Sequence, residues 1–573
     1  MLVSSLSSLL AGRIAERFSA AAPELTFDPQ VRRSAHADFQ ADGVLAAGRA
    51  LGRNPRELAV AVAAGLAGEP VLAASSVAGP GFINLTFTDR ALLTQAAARL
   101  ADDRLGVPLS DTGRVTVIDY SQPNIAKEMH VGHLRSTIIG DALARVLGHL
   151  GGTVVRQNHI GDWGTQFGML IEYLFGDAVG DEPAGISRLS ALYRAARARF
   201  EADPAFVERS RRRVVALQAG DPETVTAWRD IVAESTRYFT DVYDRLGVLL
   251  EPGDVAGESF YNPMLAGVAE DLLALGVATV SDGAVCVFFD DVRGPDGDPV
   301  PLIVRKSDGG YGYAATDLAA VRYRVTDLHA DRVLYVVDAR QALHFRMVFE
   351  TARRAGWVPD GVAVEHVRFG LMLGPGGRPF KTRYGGNALF TDLIDEAVAG
   401  ARKVIDTKNP EVDAGVLAER ARQVGIGALK YADLATSRTR DYVYDPARML
   451  SLTGNTSVYL QYAHVRARSI LRKAGADGAI DTGLPLEAAE RLLILDLDGF
   501  ADAVEEVGQT LEPHRLCGYL FRLAQSFTAF FERCPVLTAP APVRENRLAL
   551  CLLTARTLRA GLELLGIESP DRL

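Results

Sequence analysis

The sequence predicts a multidomain α/β protein. A central Rossmann-like parallel sheet is split by an insertion, preceded by an α+β unit and followed by an all-α helical bundle. Three observations carry this. The strand pattern RVTVIDY (Arg114 to Tyr120) is followed by a short loop, the helical pattern LRSTIIGDALARVLGHL and a second strand from Thr153 to Asn158, an order that builds a parallel sheet. Sheet-like sequence resumes only at DRVLYVVDARQALHF (Asp331 to Phe345), after a polar helical stretch from Ile186 to Leu249. The last third of the chain is dominated by helical periodicity, as in ENRLALCLLTARTLRAGLELLGI.

With 573 residues the chain is too long for one core. Residues 1–109 read as the first unit: Ala-rich helices, then the strand GPGFINLTF and a further helix to Leu105. Residues 110–390 hold the parallel sheet, with the insertion around 176–300. Within and after it, AVCVFFDDV and PLIVRKSDGGYGYAATDLAAVRYR read as strand-like runs. Residues 391–573 form the helical unit. The pattern RSRRR (Arg209 to Arg213) reads as a solvated helix face.

Composition narrows the function classes. No uncharged apolar run of about 18 residues occurs, so no membrane partner is expected. The N-terminus lacks a basic segment before its apolar part and reads as a first helix, not a signal peptide. Cys286, Cys517, Cys534 and Cys551 have no paired spacing, so neither zinc nor a disulfide framework is expected, and a reducing cytoplasm fits. The net charge of −9 argues mildly against nucleic acid, yet binding needs only a local basic face. Arg420 to Lys473 is such a basic-rich stretch, or a solvated helix surface.

The most specific segment is SQPNIAKEMHVGHLRSTIIGD, from Ser121 to Asp141. His130 and His133 flank Gly132 where a strand gives way to a helix. First-turn N–H groups lack partners there, and the helix dipole is positive, which suits phosphate. Two imidazoles beside that point can donate hydrogen bonds to phosphate oxygens as charge builds. Gly132 has no Cβ and would let a flat ring approach the backbone. Spacing alone also suits metal ligands, but no cysteine lies nearby to complete a zinc set.

This segment resembles the HIGH signature of class I aminoacyl-tRNA synthetases, written here HVGH. The longer run Pro123, Asn124, Ile125, Ala126, Lys127, Glu128, Met129, His130, Val131, Gly132, His133, continuing to Asp141 and then RQNHIGDWGTQFG, resembles the arginyl-tRNA synthetases. The resemblance implies ligation of L-arginine to tRNA(Arg) through an arginyl-adenylate, with ATP and its Mg²⁺ as counter-ion. It also implies a monomer, and adenylate formation that needs bound tRNA. The first unit would be the additional tRNA-binding domain and the last the anticodon-binding domain.

Residue roles follow from the resemblance. His130, Gly132, His133, Lys127, Met372 and Lys381 would serve ATP, with His130, His133, Lys127 and Lys381 catalytic. Lys381 lies in MLGPGGRPFKTRYGG, a degenerate form of the KMSKS loop in which Thr382 takes a lysine's position. Lys127 would compensate. A guanidinium needs planar carboxylate partners, and a lysine substrate cannot reproduce that geometry. Asp119, Tyr313, Asp317 and Gln341 match the family's arginine side-chain ligands. Asn124 matches the residue that holds the amino-acid end, and His159 in NHIGDWG would frame the pocket. On residues alone, Asp119 is equally a surface carboxylate and Asp317 a helix start. In the helical unit, Tyr459, Tyr462 and Arg466 recur at helical spacing. Stacked anticodon bases and core packing both fit that pattern.

Overall fold

The computed structural model describes residues 5–176, 185–294, 296–379, 389–408 and 413–572. It divides into two compact units. One comprises 111–404 and 428–449, the other 1–110, 405–427 and 450–573. The sequence separates the N- and C-terminal regions, whereas their contacts place both in the second of these units. The expected boundary at 391 falls at the start of the helix Phe390–Lys408.

The parallel sheet has strands β1 (Val115–Asp119), β2 (Thr153–Gln157), β3 (Arg332–Tyr335) and β4 (Ala363–His366), in the order β4-β3-β1-β2. Val117, Ile118, Val333 and Leu334 are wholly buried, as a sheet covered on both faces requires. Strand order reverses between β1 and β3. The crevice beyond their C-terminal ends is where such sheets bind ligands.

Four helices shape that crevice: α1 (Val131–His149), α2 (Pro222–Leu246), α3 (Tyr313–Thr326) and α4 (Ala342–Arg354). α1 is buried at almost every position from Leu134 to Leu147. At Gly140 a Cβ would lie 2.3 Å from the Tyr120 ring, so glycine sets the close approach of helix to strand. The insertion supplies Thr165–Gly176, Ile186–Ala202, Pro204–Gln218 and α2. A three-stranded antiparallel sheet of Thr279–Ser281, Ala284–Val287 and Leu302–Arg305 follows. The run expected to be strand-like through Arg324 is strand only at Leu302–Arg305, and YAATDLAAVRYRVT is α3. Its alanines favour helix, and Leu318, Val321 and Val325 share one buried stripe. RSRRR lies on Pro204–Gln218, where Arg209 and Arg213 both pair with Glu172.

The other unit contains an antiparallel sheet in the order Val31–Arg33, Phe39–Ala41, Phe82–Phe87, Leu72–Ala78. Its long helices include Ser457–Ala474, His514–Arg533 and Ala541–Leu564. Buried Asp498 accepts hydrogen bonds from the Leu6 amide at 2.6 Å, Gln95 at 2.7 Å and Arg99 at 3.0 Å. All four cysteines are buried thiols. No helix among the described residues is long and apolar enough to cross a membrane.

Candidate active site

His130 and His133 cap α1 reciprocally. His130 Nδ1 accepts from the Gly132 amide at 3.0 Å, and His133 Nδ1 accepts from the His130 amide at 3.1 Å. Each ring is thereby fixed as the tautomer with Nε2–H. The rings lie 4.1 Å apart between centroids. Burial, the neighbouring His130 and Lys127 push His133 down to about 3, and burial with Lys127 also lowers His130. His133 is thus a neutral donor at physiological pH, and His130 is biased the same way. Gly132 has a second reason to lack a side chain: a Cβ there would stand 2.7 Å from His130 Cε1.

The loop entering α1 is held in an uncommon backbone path. Ser121, Gln122 and Ala126 all have positive φ, at 76°, 54° and 60°, which costs non-glycine residues energy unless neighbours enforce it. Hydroxyls and amides from elsewhere in the chain do so. The Ser121 amide donates to Ser136 Oγ at 2.9 Å, and its hydroxyl meets Tyr243 Oη at 2.7 Å. Asn158 donates to the same Tyr243 oxygen at 3.0 Å and accepts from the Gln122 amide at 3.0 Å. The Ala126 and Met129 amides donate to Ser235 Oγ and Tyr238 Oη on α2.

Beyond β1 and β3 lies a cavity of about 220 Å³. Five of the six expected arginine ligands line it: Asn124, His159, Tyr313, Asp317 and Gln341. Four lining residues escaped the sequence reading, namely Gln122, Glu258, His344 and Phe345. His344 Nε2 contacts Asp317 Oδ2 at 2.6 Å and fixes that carboxylate. Burial, Asp162 and Asp317 raise Glu258 to about 7. Two carboxylates facing one small cavity form a site for a cation.

Asp119 is the exception. It is 1% exposed, and its Oδ2 accepts from Arg324 Nη2 at 2.8 Å. Its Oδ1 accepts from the His159 amide at 3.3 Å. The guanidinium bound to Asp119 is therefore the chain's own, and Asp119 is not among the residues lining the cavity. Although burial opposes its charge, Asp119 keeps the Arg324 guanidinium strongly basic. Met372 is 7% exposed, with its sulfur accepting from Tyr442 Oη at 2.9 Å, so its side chain is already packed. Lys127 Nζ sits 4.6 Å from the Tyr193 ring centre. Lys381 and its loop lie outside the described residues.

In the other unit, Tyr459, Tyr462 and Arg466 do not form one uniform surface. Tyr459 is half-buried, with its hydroxyl 3.1 Å from Thr528 Oγ1. Tyr462 is 40% exposed, and Arg466 lies over both its ring and that of Phe531.

A split parallel sheet with paired imidazoles capping the first crossover helix is the arrangement of a class I aminoacyl-tRNA synthetase. Comparison with known proteins agrees. Residues 95–446 match the catalytic domain of class I tRNA synthetases (R), 460–573 the DALR anticodon binding domain, and 4–87 the arginyl tRNA synthetase N-terminal domain. An arginine–tRNA ligase of Frankia casuarinae is 59% identical over 557 residues, 95% of each chain. One from Streptomyces avermitilis is 53% identical over the full length of both. The crystal structure of arginyl-tRNA synthetase from Plasmodium falciparum superposes with a TM-score of 0.84 at 27% identity, covering all of both chains. The chain belongs to the arginyl-tRNA synthetases.

Proposed function

We propose that this arginine–tRNA ligase holds the substrate guanidinium between Glu258 and Asp317, with Tyr313 beside them and His344 orienting Asp317. Asn124, Gln341 and His159 take the amino-acid end. The observation that carries this is the convergence of two carboxylates in a cavity sized for one side chain. A carboxylate oxygen of arginine then attacks the α-phosphorus of ATP, and the bond to pyrophosphate breaks. His130 and His133 present Nε2–H groups to the oxygens that gain charge, and Lys127 and Lys381 neutralise the triphosphate. The backbone at Met372 flanks the nucleotide. In the second step the terminal ribose hydroxyl of tRNA(Arg) attacks the arginyl carbonyl and AMP leaves.

Mg²⁺ enters with ATP. The residues assigned to the triphosphate are imidazoles and lysines, not carboxylates, so its ligands are phosphate oxygens. Tyr459, Tyr462 and Arg466 serve the anticodon, with the exposed Tyr462–Arg466 pair as the stacking surface. The domain scheme of 1–109, 110–390 and 391–573, a monomeric state, a cytoplasmic location and a need for tRNA in adenylation belong to the same reading.

ATP–pyrophosphate exchange with each amino acid, with and without tRNA(Arg), tests the reading. Exchange is expected with arginine alone among the amino acids, and with tRNA present. Exchange driven by lysine or glutamine instead would overturn it. Tight tRNA binding without any exchange would favour a non-catalytic tRNA-binding role.

A further inference from the structure

A second, larger cavity of about 620 Å³ lies in the same unit and plays no part in the chemistry above. One wall is the face of α4 carrying Ala342, Arg346, Phe349 and Arg353, spaced to line up on a helix. Opposite it stand Arg368 just after β4 and Asp291 from the end of the insertion. The charges do not balance. Four guanidiniums, Arg346, Arg353, Arg354 and Arg368, face two carboxylates, Asp291 and Glu350. Arg346 pairs with Asp291 at 2.6 Å and Arg354 with Glu350 at 2.9 Å. Both pairs are solvent-exposed and hence weak. Arg353 and Arg368 have no carboxylate partner among the described residues. In an acidic chain, two unmatched guanidiniums around a concave wall form a local anion site.

The position of this wall suggests the occupant. Gln341, His344 and Phe345, at the start of α4, line the proposed arginine cavity, and the next two turns line the cationic one. A strand delivering its 3′ end to the first cavity would run beside the second. We propose that this cleft binds backbone phosphates of the tRNA close to its 3′ end, with Arg353 and Arg368 as the phosphate ligands. The proposal rests on the arginylation reading. Guanidinium forks suit phosphate oxygens, and no base need be read there. Burial and the neighbouring Arg368 and Arg438 lower His366 at the cleft edge, consistent with a positive local field.

The test uses the full-length enzyme with Arg353→Ala and Arg368→Ala combined, both side chains being exposed. The KM for a tRNA(Arg) transcript is measured from 50 to 200 mM salt. It should rise about tenfold, and the log–log salt slope should fall by about 1.5, the share of two phosphates. The KM values for arginine and ATP should not move. Arg353→Lys with Arg368→Lys should keep most of the slope. An unchanged tRNA KM and slope would overturn the proposal, as would an equal rise in arginine KM. Loss of pyrophosphate binding with tRNA parameters intact would assign the cleft to a free phosphate ligand and overturn it too. If the arginylation reading itself were wrong, the wild-type enzyme would already lack arginine-dependent exchange.

Discussion

His133→Ala is expected to slow arginine activation by about 10²–10³-fold while leaving tRNA affinity nearly unchanged. Removing one preorganised donor from developing negative charge costs about 3–4 kcal/mol of barrier. His133 is fixed for that task because its Nδ1 is occupied by the His130 amide, while its Nε2–H has no hydrogen-bond partner among the described residues. Its pKa of about 3 keeps it neutral through the working range, so no step in the activation rate near pH 6.5 should trace to it. The ring also caps α1, and losing a cap costs about 1 kcal/mol of stability. His133→Asn separates the two duties. Its amide oxygen can replace Nδ1 as the acceptor, but nothing replaces Nε2–H. It should recover stability and not rate. Equal losses in activation and tRNA affinity would contradict the role given to His133.

The second large effect lies behind the cavity. Arg324→Met should destabilise the catalytic unit by about 3–5 kcal/mol, the usual cost of stranding one member of a buried ion pair. Asp119 and Arg324 are 1% and 0% exposed, and Arg324 Nε also donates to Gln157 Oε1 at 2.6 Å. Without the guanidinium, the Asp119 carboxylate keeps, among the described residues, the His159 amide at 3.3 Å and the His159 ring Nδ1 at 4.0 Å. Urea unfolding followed by tryptophan fluorescence isolates the effect, because Trp163, Trp228 and Trp357 all lie within 111–404. The double change Arg324→Met with Asp119→Leu should regain much of the stability, since the stranded charge is then gone. A double variant no more stable than Arg324→Met would mean that packing, not charge, sets the cost.

These two residues mark how far the sequence could be read. The His130–His133 pair was legible because all that defines it is local: a strand, a loop and a helix start within one short segment. Tyr313 and Asp317 came from the resemblance, and both line the cavity. Arg324 was not. It reaches Asp119 across 205 positions, and the segment that carries it resembles a strand in its mixture of valine, tyrosine and alternating arginine. Its alanines and the stripe of Leu318, Val321 and Val325 carry it into a helix. Glu258 opens a four-residue helix, Glu258–Tyr261, with no periodicity to mark it. Its place on the cavity lining emerges only with the fold. The left-handed residues before HVGH were equally hidden, because none is glycine and their supports come from α1, α2 and the loop after β2.

In the proposed site, Glu258 and Asp317 together receive the arginine side chain. Glu258 gives this a direct test. Its carboxyl has a pKa of about 7, so below that pH it is protonated and must lose its proton to meet a guanidinium. Arginine binding should therefore strengthen as pH rises, by about tenfold between pH 6 and 8, following the ionised fraction of one group. Calorimetric titration of the enzyme with L-arginine at pH 6, 7 and 8 measures it. The expected result is a falling Kd in the wild type and a weak, pH-independent Kd in Glu258→Gln. A flat wild-type profile, or a Glu258→Gln variant that keeps the full slope, would contradict the account.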